Sequence, residues 1–207
     1  FYFEGEWFWG LDRLHLLEQR LIDAGYSSSP LSAMCAPLPT ANYTFGKETA
    51  AVTLEYFPSL RSPYTAIGHS RVADLVNRSG VSLKLRPVMP MMMRGIPAPR
   101  AKQVYIMMDA GREARFHDIP FGRFVDPFGD PVLKAFSLLP GAVAQGKGMD
   151  FVGSYLSACF AEGIDVTSAV GLAKVLDRIG LNLAEVDQQS GSFDWLGVLQ
   201  ENIDAMN

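Results

Sequence analysis

The chain has 207 residues, 48% of them hydrophobic and 19% charged, enough apolar matter for one sizeable core or for one core plus a helical subdomain. Eighteen basic side chains against twenty-two acidic ones leave a net charge of −4, and no run of lysine or arginine is long enough to follow a phosphate backbone, which argues against nucleic acid as a partner. No apolar run reaches the roughly 18 residues that cross a bilayer, and no basic stretch precedes an apolar one at the start, so neither a membrane partner nor a secretion signal is expected.

In chain order, Phe1 to Phe8 alternates aromatic residues with glycine and acids and suits a strand or hairpin edge. Leu11, Leu14, Leu17, Leu21 and Ile22 then recur at helical spacing, with Gly25 as the stop, which predicts an amphipathic helix over Leu11 to Ala24. Tyr26 to Glu48 is rich in Ser, Pro, Ala and Thr without periodicity and reads as a linker, residues 26–48, at a domain boundary. Ala50 to Phe57 has the composition of a strand covered on both faces. Pro58 stops it, and Ser62 before Pro63 starts a helix, because serine is a favoured N-cap and proline at the first helical position needs no donor. That helix carries Ile67, Val72, Leu75 and Val76, stops near Gly80, and leads into a second strand, Val81 to Val88. Two strands joined by one helix of this length make a right-handed βαβ unit with parallel strands.

Met89 to Pro99 is too broken by proline for regular structure and is expected to lie as a long loop over the C-terminal strand ends, where α/β proteins hold ligands. Its methionines read as an adaptable lid. From Arg100 the pattern is helical until Ile119-Pro120. Helical segments follow over Pro131 to Ala144, Met149 to Glu162, Val166 to Ile179 and Phe193 to Met206, with glycines between them, and together they predict an all-helical subdomain.

Ser62 carries two readings. It is an ordinary N-cap, or its hydroxyl, placed where unpaired amides and the helix dipole favour an anion, donates a hydrogen bond to a thiolate or oxyanion held there. No Cys-x-x-Cys stands at this place, so dithiol chemistry is not expected at it. Lys102 and Tyr105, three apart, share one helical face, and are a solvated lysine and a packed tyrosine unless a ligand lies beside them. His69 and His117 lack a carboxylate at a telling spacing and are read as structural. The two cysteines, Cys35 and Cys159, lie far apart and outside any metal-ligand pattern, which fits a reducing compartment and a cytoplasmic location.

Four stretches together resemble one family, the 2-hydroxychromene-2-carboxylate isomerases and kappa-class glutathione transferases, a branch of the DsbA-like thioredoxin superfamily. Ser62-Pro63-Tyr64 resembles its Ser-Pro-Tyr or Ser-Pro-Phe site at a strand-to-helix junction. Leu85-Arg86-Pro87-Val88 with Gly95-Ile96 resembles its second strand and following loop. Pro99-Arg100, Lys102, Tyr105, Asp109 and Ile119-Pro120 resemble its next helix, and Phe160-Ala161-Glu162-Gly163-Ile164-Asp165 resembles its Trp-x-Glu-Gly-x-Asp turn with phenylalanine for tryptophan. The turn Pro58-Ser59-Leu60-Arg61 is longer than the family's connection, which makes Ser59 a rival to Ser62. Glu6-Trp7-Phe8-Trp9-Gly10-Leu11-Asp12-Arg13-Leu14 resembles the motif that closes such a domain, and the family's cis-proline strand would come after Asn207.

The resemblance implies an α/β fold with a thioredoxin-like βαβ core and an inserted all-helical subdomain, incomplete in this chain. It divides the chain into residues 1–25, the closing strand and helix of a preceding related unit; the 26–48 linker; 49–122, the βαβ portion; and 123–207, the helical subdomain. A tandem protein of which this chain is a piece is the expectation, as the first residue, Phe1, also suggests. The function implied is a glutathione-dependent isomerase or transferase acting on a small electrophilic compound, enone-type or aromatic. Glutathione would serve as co-substrate, Ser62 as catalytic donor, and Lys102 and Tyr105 as binding residues, with a homodimer allowed. A thioredoxin-fold binding or scaffold module without turnover is the alternative, and disulfide exchange is disfavoured by the missing cysteine pair.

Overall fold

The computed structural model describes residues 1–27, 35–38 and 52–207, so most of the linker expected over residues 26–48 and the first residues of the strand expected from Ala50 lie outside the described residues. Two compact units, Phe1–Thr44 and Phe45–Asn207, are each taken by themselves.

In the first unit the aromatic opening is a hairpin of β1 (Tyr2–Phe3) and β2 (Glu6–Trp7), paired antiparallel with Tyr2 opposite Trp7. The connection Glu4-Gly5 has φ of +44° and +88°, the left-handed pair that a tight two-residue hairpin turn needs and that glycine supplies at least cost. Leu11–Arg13 forms a 3₁₀ turn and α1 follows over Leu14–Asp23, burying His15 and Leu16. Arg20 holds the hairpin acids, reaching Glu4 at 3.1 Å and Glu6 at 3.5 Å.

The second unit begins with the expected βαβ. Strand β3 (Thr53–Tyr56) pairs parallel with β4 (Ser82–Leu85), Leu54 opposite Leu83, and α2 (Pro63–Ser79) makes the crossover. The strand is not covered on both faces: Leu54 and Tyr56 are half-buried whereas Thr53 and Glu55 are exposed. The reason is charge on the outer face, where the Glu55 carboxylate accepts from Arg86 at 2.7 Å and lies 3.7 Å from Lys84. Helix α2 ends at Gly80, φ +68°, a left-handed stop that glycine makes cheaply. The ladder runs on past both strands, with Arg86 N–H donating to Tyr56 O and Val88 N–H to Pro58 O, so the turn after β3 and the loop after β4 leave the sheet side by side.

Helix α3 (Arg100–Phe116) packs against α2, and the helical subdomain follows as α4 (Asp130–Ala144), α5 (Gly148–Ser157), α6 (Ala169–Asp177), α7 (Leu183–Ser190) and α8 (Trp195–Met206). Helix α7 is one more than the periodicity resolved, because LAEVDQQS fully buries only Val186 and Ser190, with Leu183 packed against the core in part. Its close approach to α4 rests on Gly141, whose N–H donates to Ser190 Oγ at 3.0 Å and where a Cβ would strike the Val186 carbonyl. The main core is helical, built on Val132, Phe136, Leu139, Phe151, Val152, Tyr155 and Leu176, and Leu60 from the turn after β3 enters it with no exposed surface.

His69 is structural, as expected. It is buried on α2 between the Tyr56 hydroxyl, 3.1 Å from Nδ1, and the Met149 carbonyl, 3.0 Å from Nε2. A carbonyl only accepts, so Nε2 carries the proton and the tyrosine donates to Nδ1. His117 does have a carboxylate, Glu113 one turn earlier at 3.5 Å, a spacing the sequence reading passed over. Among the described residues no helix is long and apolar enough to cross a membrane, and no group of three or more His, Cys, Asp or Glu could hold a metal ion.

Candidate functional site

The turn between β3 and α2 is fixed from Pro58 onward. Pro58 O accepts from Val88 N–H, Ser59 O accepts from Ser62 N–H at 3.0 Å, and Ser59 N–H donates to Thr65 Oγ1 at 3.4 Å. Leu60 anchors the turn in the helical core. Arg61 reaches across to Asp126 with two hydrogen bonds, Nε and Nη2 each 2.6 Å from a carboxylate oxygen, and its guanidinium lies 4.7 Å from the centre of the Phe128 ring. Two parallel N–H···O bonds of this kind are the strong form of an arginine–carboxylate pair. The length of the turn is thus taken up by one apolar and one ionic anchor, Leu60 and Arg61, which stand between the two serines.

Ser62 is the N-cap of α2, accepting the Thr65 N–H at 3.1 Å with Pro63 next at the first helical position. An accepting hydroxyl still has its own hydrogen to donate. Ser59 Oγ is buried without any hydrogen-bond partner. Both serines line one cavity of about 310 Å³, together with Arg61, Pro63 and Tyr64 from the turn and helix.

The opposite wall is the methionine segment. It is irregular as expected, except for a 3₁₀ turn over Met91–Arg94 that Gly95 closes at φ +74°. Met89, Met91, Met92 and Arg94 face the cavity, and Met92 Sδ lies 3.6 Å from Arg61 Nη1. A third wall is aromatic. Helix α5 passes into a wider π-turn over Ala158–Glu162, and Phe160 from it lies in near-parallel stacks with Phe124 at 5.2 Å and Phe121 at 5.9 Å. The turn frees two carbonyls that strap the preceding loop in place, Phe160 O accepting from Gly122 N–H and Cys159 O from Val125 N–H, both at 2.8 Å. This is the stretch of Phe160 to Asp165 picked out in the sequence, and π-turns inside α-helices often mark functional places.

Helix α3 supplies the last wall, but with Gln103, Ile106 and Met107 rather than with Lys102 and Tyr105. These three share one face by their i, i+3, i+4 spacing, and from its centre residue 102 stands about 90° and residue 105 about 150° around the helix. Lys102 is half-buried outside the cavity lining. Tyr105 instead joins a buried network: its hydroxyl lies 3.2 Å from Asp109 Oδ1, Arg112 donates to the same oxygen at 3.1 Å, and the Tyr64 hydroxyl donates to Asp109 Oδ2 at 2.7 Å. Asp109, 1% exposed, is therefore paid for by three donors and pins the Tyr64 ring as a wall of the cavity. The cavity meets the helix expected from the sequence, but through another face of it. Arg94 and Gln103 were missed, and the only signal for them was the loop and helix on which they stand.

Within this unit no cysteine offers a nucleophile at the cavity. Cys159 is buried in the π-turn, where burial pushes its thiol up to about 12 against the lowering contact of the Tyr155 hydroxyl. Hydroxyls, at Ser62 and Thr65, stand at the two ends of the first helical turn where a Cys-x-x-Cys would place its sulfurs.

The same arrangement of strands and helices is found in solved structures. The fold is similar to that of 2-hydroxychromene-2-carboxylate isomerase, with a TM-score of 0.56 and 16% identity over 74% of this chain and 78% of that one. It is also similar to the cytosolic disulfide reductase DsbM from Pseudomonas aeruginosa, with a TM-score of 0.58 and 19% identity over 75% of this chain and 78% of that one. DsbM with GSH gives 0.58 and 18% identity over 75% and 80%. At these identities the likeness speaks for the fold. Among curated proteins no match is found. Residues 53–207, which hold the βαβ unit, the cavity and the helical subdomain, match one family as a continuous stretch, and the chain belongs to the DSBA-like thioredoxin domain family.

Proposed function

We propose that this protein is a glutathione-dependent isomerase or transferase acting on a small electrophilic compound of the enone or aromatic kind. The observation that carries the reading is the Ser62 hydroxyl: it stands at the start of α2, in the wall of an apolar cavity, in a first helical turn that contains no cysteine. A site of this fold without its own thiol is suited to hold the sulfur of another molecule. That DsbM has been solved with GSH supports glutathione as that molecule.

Glutathione would supply the nucleophilic sulfur that adds to a conjugated acceptor and leaves again after rotation about the bond made single. The chain's own task is to hold that sulfur as thiolate and to keep the acceptor against it. Ser62 donates its hydroxyl hydrogen while keeping the Thr65 amide on its lone pair, and the dipole of α2 favours negative charge at the same place. Ser59, buried and unpartnered, is the second hydroxyl that suits the role. The methionine and aromatic walls exclude water and adapt to a flat apolar body.

A scaffold without turnover is the competing reading, favoured by the fact that Ser62 already serves as a cap. Calorimetric titration with glutathione, followed by turnover of a panel of conjugated enones with glutathione present, tests the two. Glutathione binding together with glutathione-dependent loss of at least one enone supports the enzyme, and binding of neither thiol nor enone removes it.

A further inference from the structure

The polar groups that line the cavity are almost all committed to one another. Arg61 and Asp126 hold each other, Asp126 also accepts the Phe128 N–H at 3.1 Å, the Tyr64 hydroxyl serves Asp109, and the Gln103 side-chain amide donates to the Ala98 carbonyl at 2.6 Å. Apart from the serine hydroxyls, Arg94 is what remains. Its Nε is buried with no hydrogen-bond partner, and among the described residues its guanidinium makes no ion pair. The backbone under it is fixed by the 3₁₀ turn, with Gly95 N–H donating to Met92 O and Ile96 N–H to Met91 O. A planar fork of donors held in an apolar wall and left unpaired is complementary to a carboxylate, sulfonate or similar anion. The cavity it faces is mostly apolar, lined by Met89, Met91, Ile106, Met107, Phe124 and Phe160 besides the paired polar groups just named.

We propose that Arg94 is the specificity-determining residue of this cavity, receiving one anionic group of a ligand whose body is flat and apolar. The proposal rests on the reading of the cavity as the ligand site and names the class of electrophile it selects. Carboxylates of glutathione share the anion chemistry, so the test must separate the two sources.

The test uses the full chain and two fluorescent probes with the same rings, 8-anilinonaphthalene-1-sulfonate, which carries a sulfonate, and N-phenyl-1-naphthylamine, which is uncharged. Arg94→Gln should weaken binding of the sulfonate by about tenfold or more, the scale of hydrogen bonds to a charged group, while the neutral probe changes by less than about twofold. Arg94→Lys should recover part of the loss, and Arg71→Gln, which removes an exposed charge of α2, should change neither probe. The neutral probe also reports that the cavity of each variant is intact. Equal loss of both probes, or no loss of the sulfonate, would overturn the proposal. A calorimetric titration of Arg94→Gln with glutathione completes it. Glutathione affinity that holds while the sulfonate is lost supports an anionic electrophile. Glutathione affinity that falls while the sulfonate is kept assigns Arg94 to the thiol and overturns the proposal, and absence of glutathione binding in every form removes the glutathione reading while leaving the probe result to stand.

Discussion

Breaking the Arg61–Asp126 pair tests whether the lengthened turn is held by the anchors described. Arg61→Met keeps the apolar stem and removes the guanidinium, and with it two hydrogen bonds of 2.6 Å and the contact with the Phe128 ring. Exposed ion pairs are worth about 0–1 kcal/mol, whereas breaking a buried one costs about 3–5 kcal/mol. This pair lies between, with side chains 19% and 40% exposed and bidentate geometry, which places the loss at about 1.5–2.5 kcal/mol. For a unit of this size that lowers the melting temperature by about 4–8 °C. Asp126→Asn and the double variant complete a cycle, in which the pair should show a coupling of about 1 kcal/mol or more, smaller at high salt. Thermal and urea melts of the four forms give the cycle directly. A coupling below about 0.3 kcal/mol would show that the ion pair is a surface contact that does not hold the turn.

Leu60 has no exposed surface, so Leu60→Ala should cost about 2–5 kcal/mol by urea unfolding, and a loss under about 1 kcal/mol would contradict its place in the core. For His69, burial lowers the pKa against the raising effects of the Met149 carbonyl and Asp150, so the native imidazole stays neutral where the unfolded one is protonated. Stability is then full above the ordinary histidine value of about 6.5 and falls as pH drops below it, down to the lowered native value. Melts across this range should show His69→Gln with a flatter profile than the parent, and parallel profiles would refute the assignment. Turnover of conjugated enones, if detected, should require glutathione, and equal rates without it would contradict the proposed chemistry.

Much of the fold was legible because it rests on local signals. Ser62-Pro63 and Gly80 bracket α2 by cap and stop, the apolar runs on either side pair as β3 and β4 with Leu54 opposite Leu83, and the helical stretches after Asp130 repeat at the right period. What escaped was decided by tertiary contacts. Glu55 reads as an interruption of a buried strand, and only the nearness of Lys84 and Arg86 across the ladder shows why that face is exposed. On α3 the spacing of Lys102 and Tyr105 is a sound helical pair, yet the face turned to the cavity is set by how α3 packs on α2, and the buried Asp109 draws Tyr105 away. Arg61 and Arg94 look alike in sequence. One is neutralised by Asp126, sixty-five residues on, and the other is not, which no local pattern could tell.

The central claim is that a hydroxyl at the start of α2 holds a thiolate, and it is tested most directly by the pKa of the glutathione thiol in the complex, followed by ultraviolet thiolate absorbance against pH. Removal of one hydrogen bond to a charged sulfur is worth about 1.5–3 kcal/mol, or about one to two pH units. Ser62→Ala should therefore raise the thiol pKa by about one unit or more, with only about 1 kcal/mol of stability lost with the cap. Ser59→Ala should raise it less. A thiol pKa that follows Ser59 instead would move the role to the earlier serine, and one that follows neither would contradict the account and leave Ser62 a helix cap.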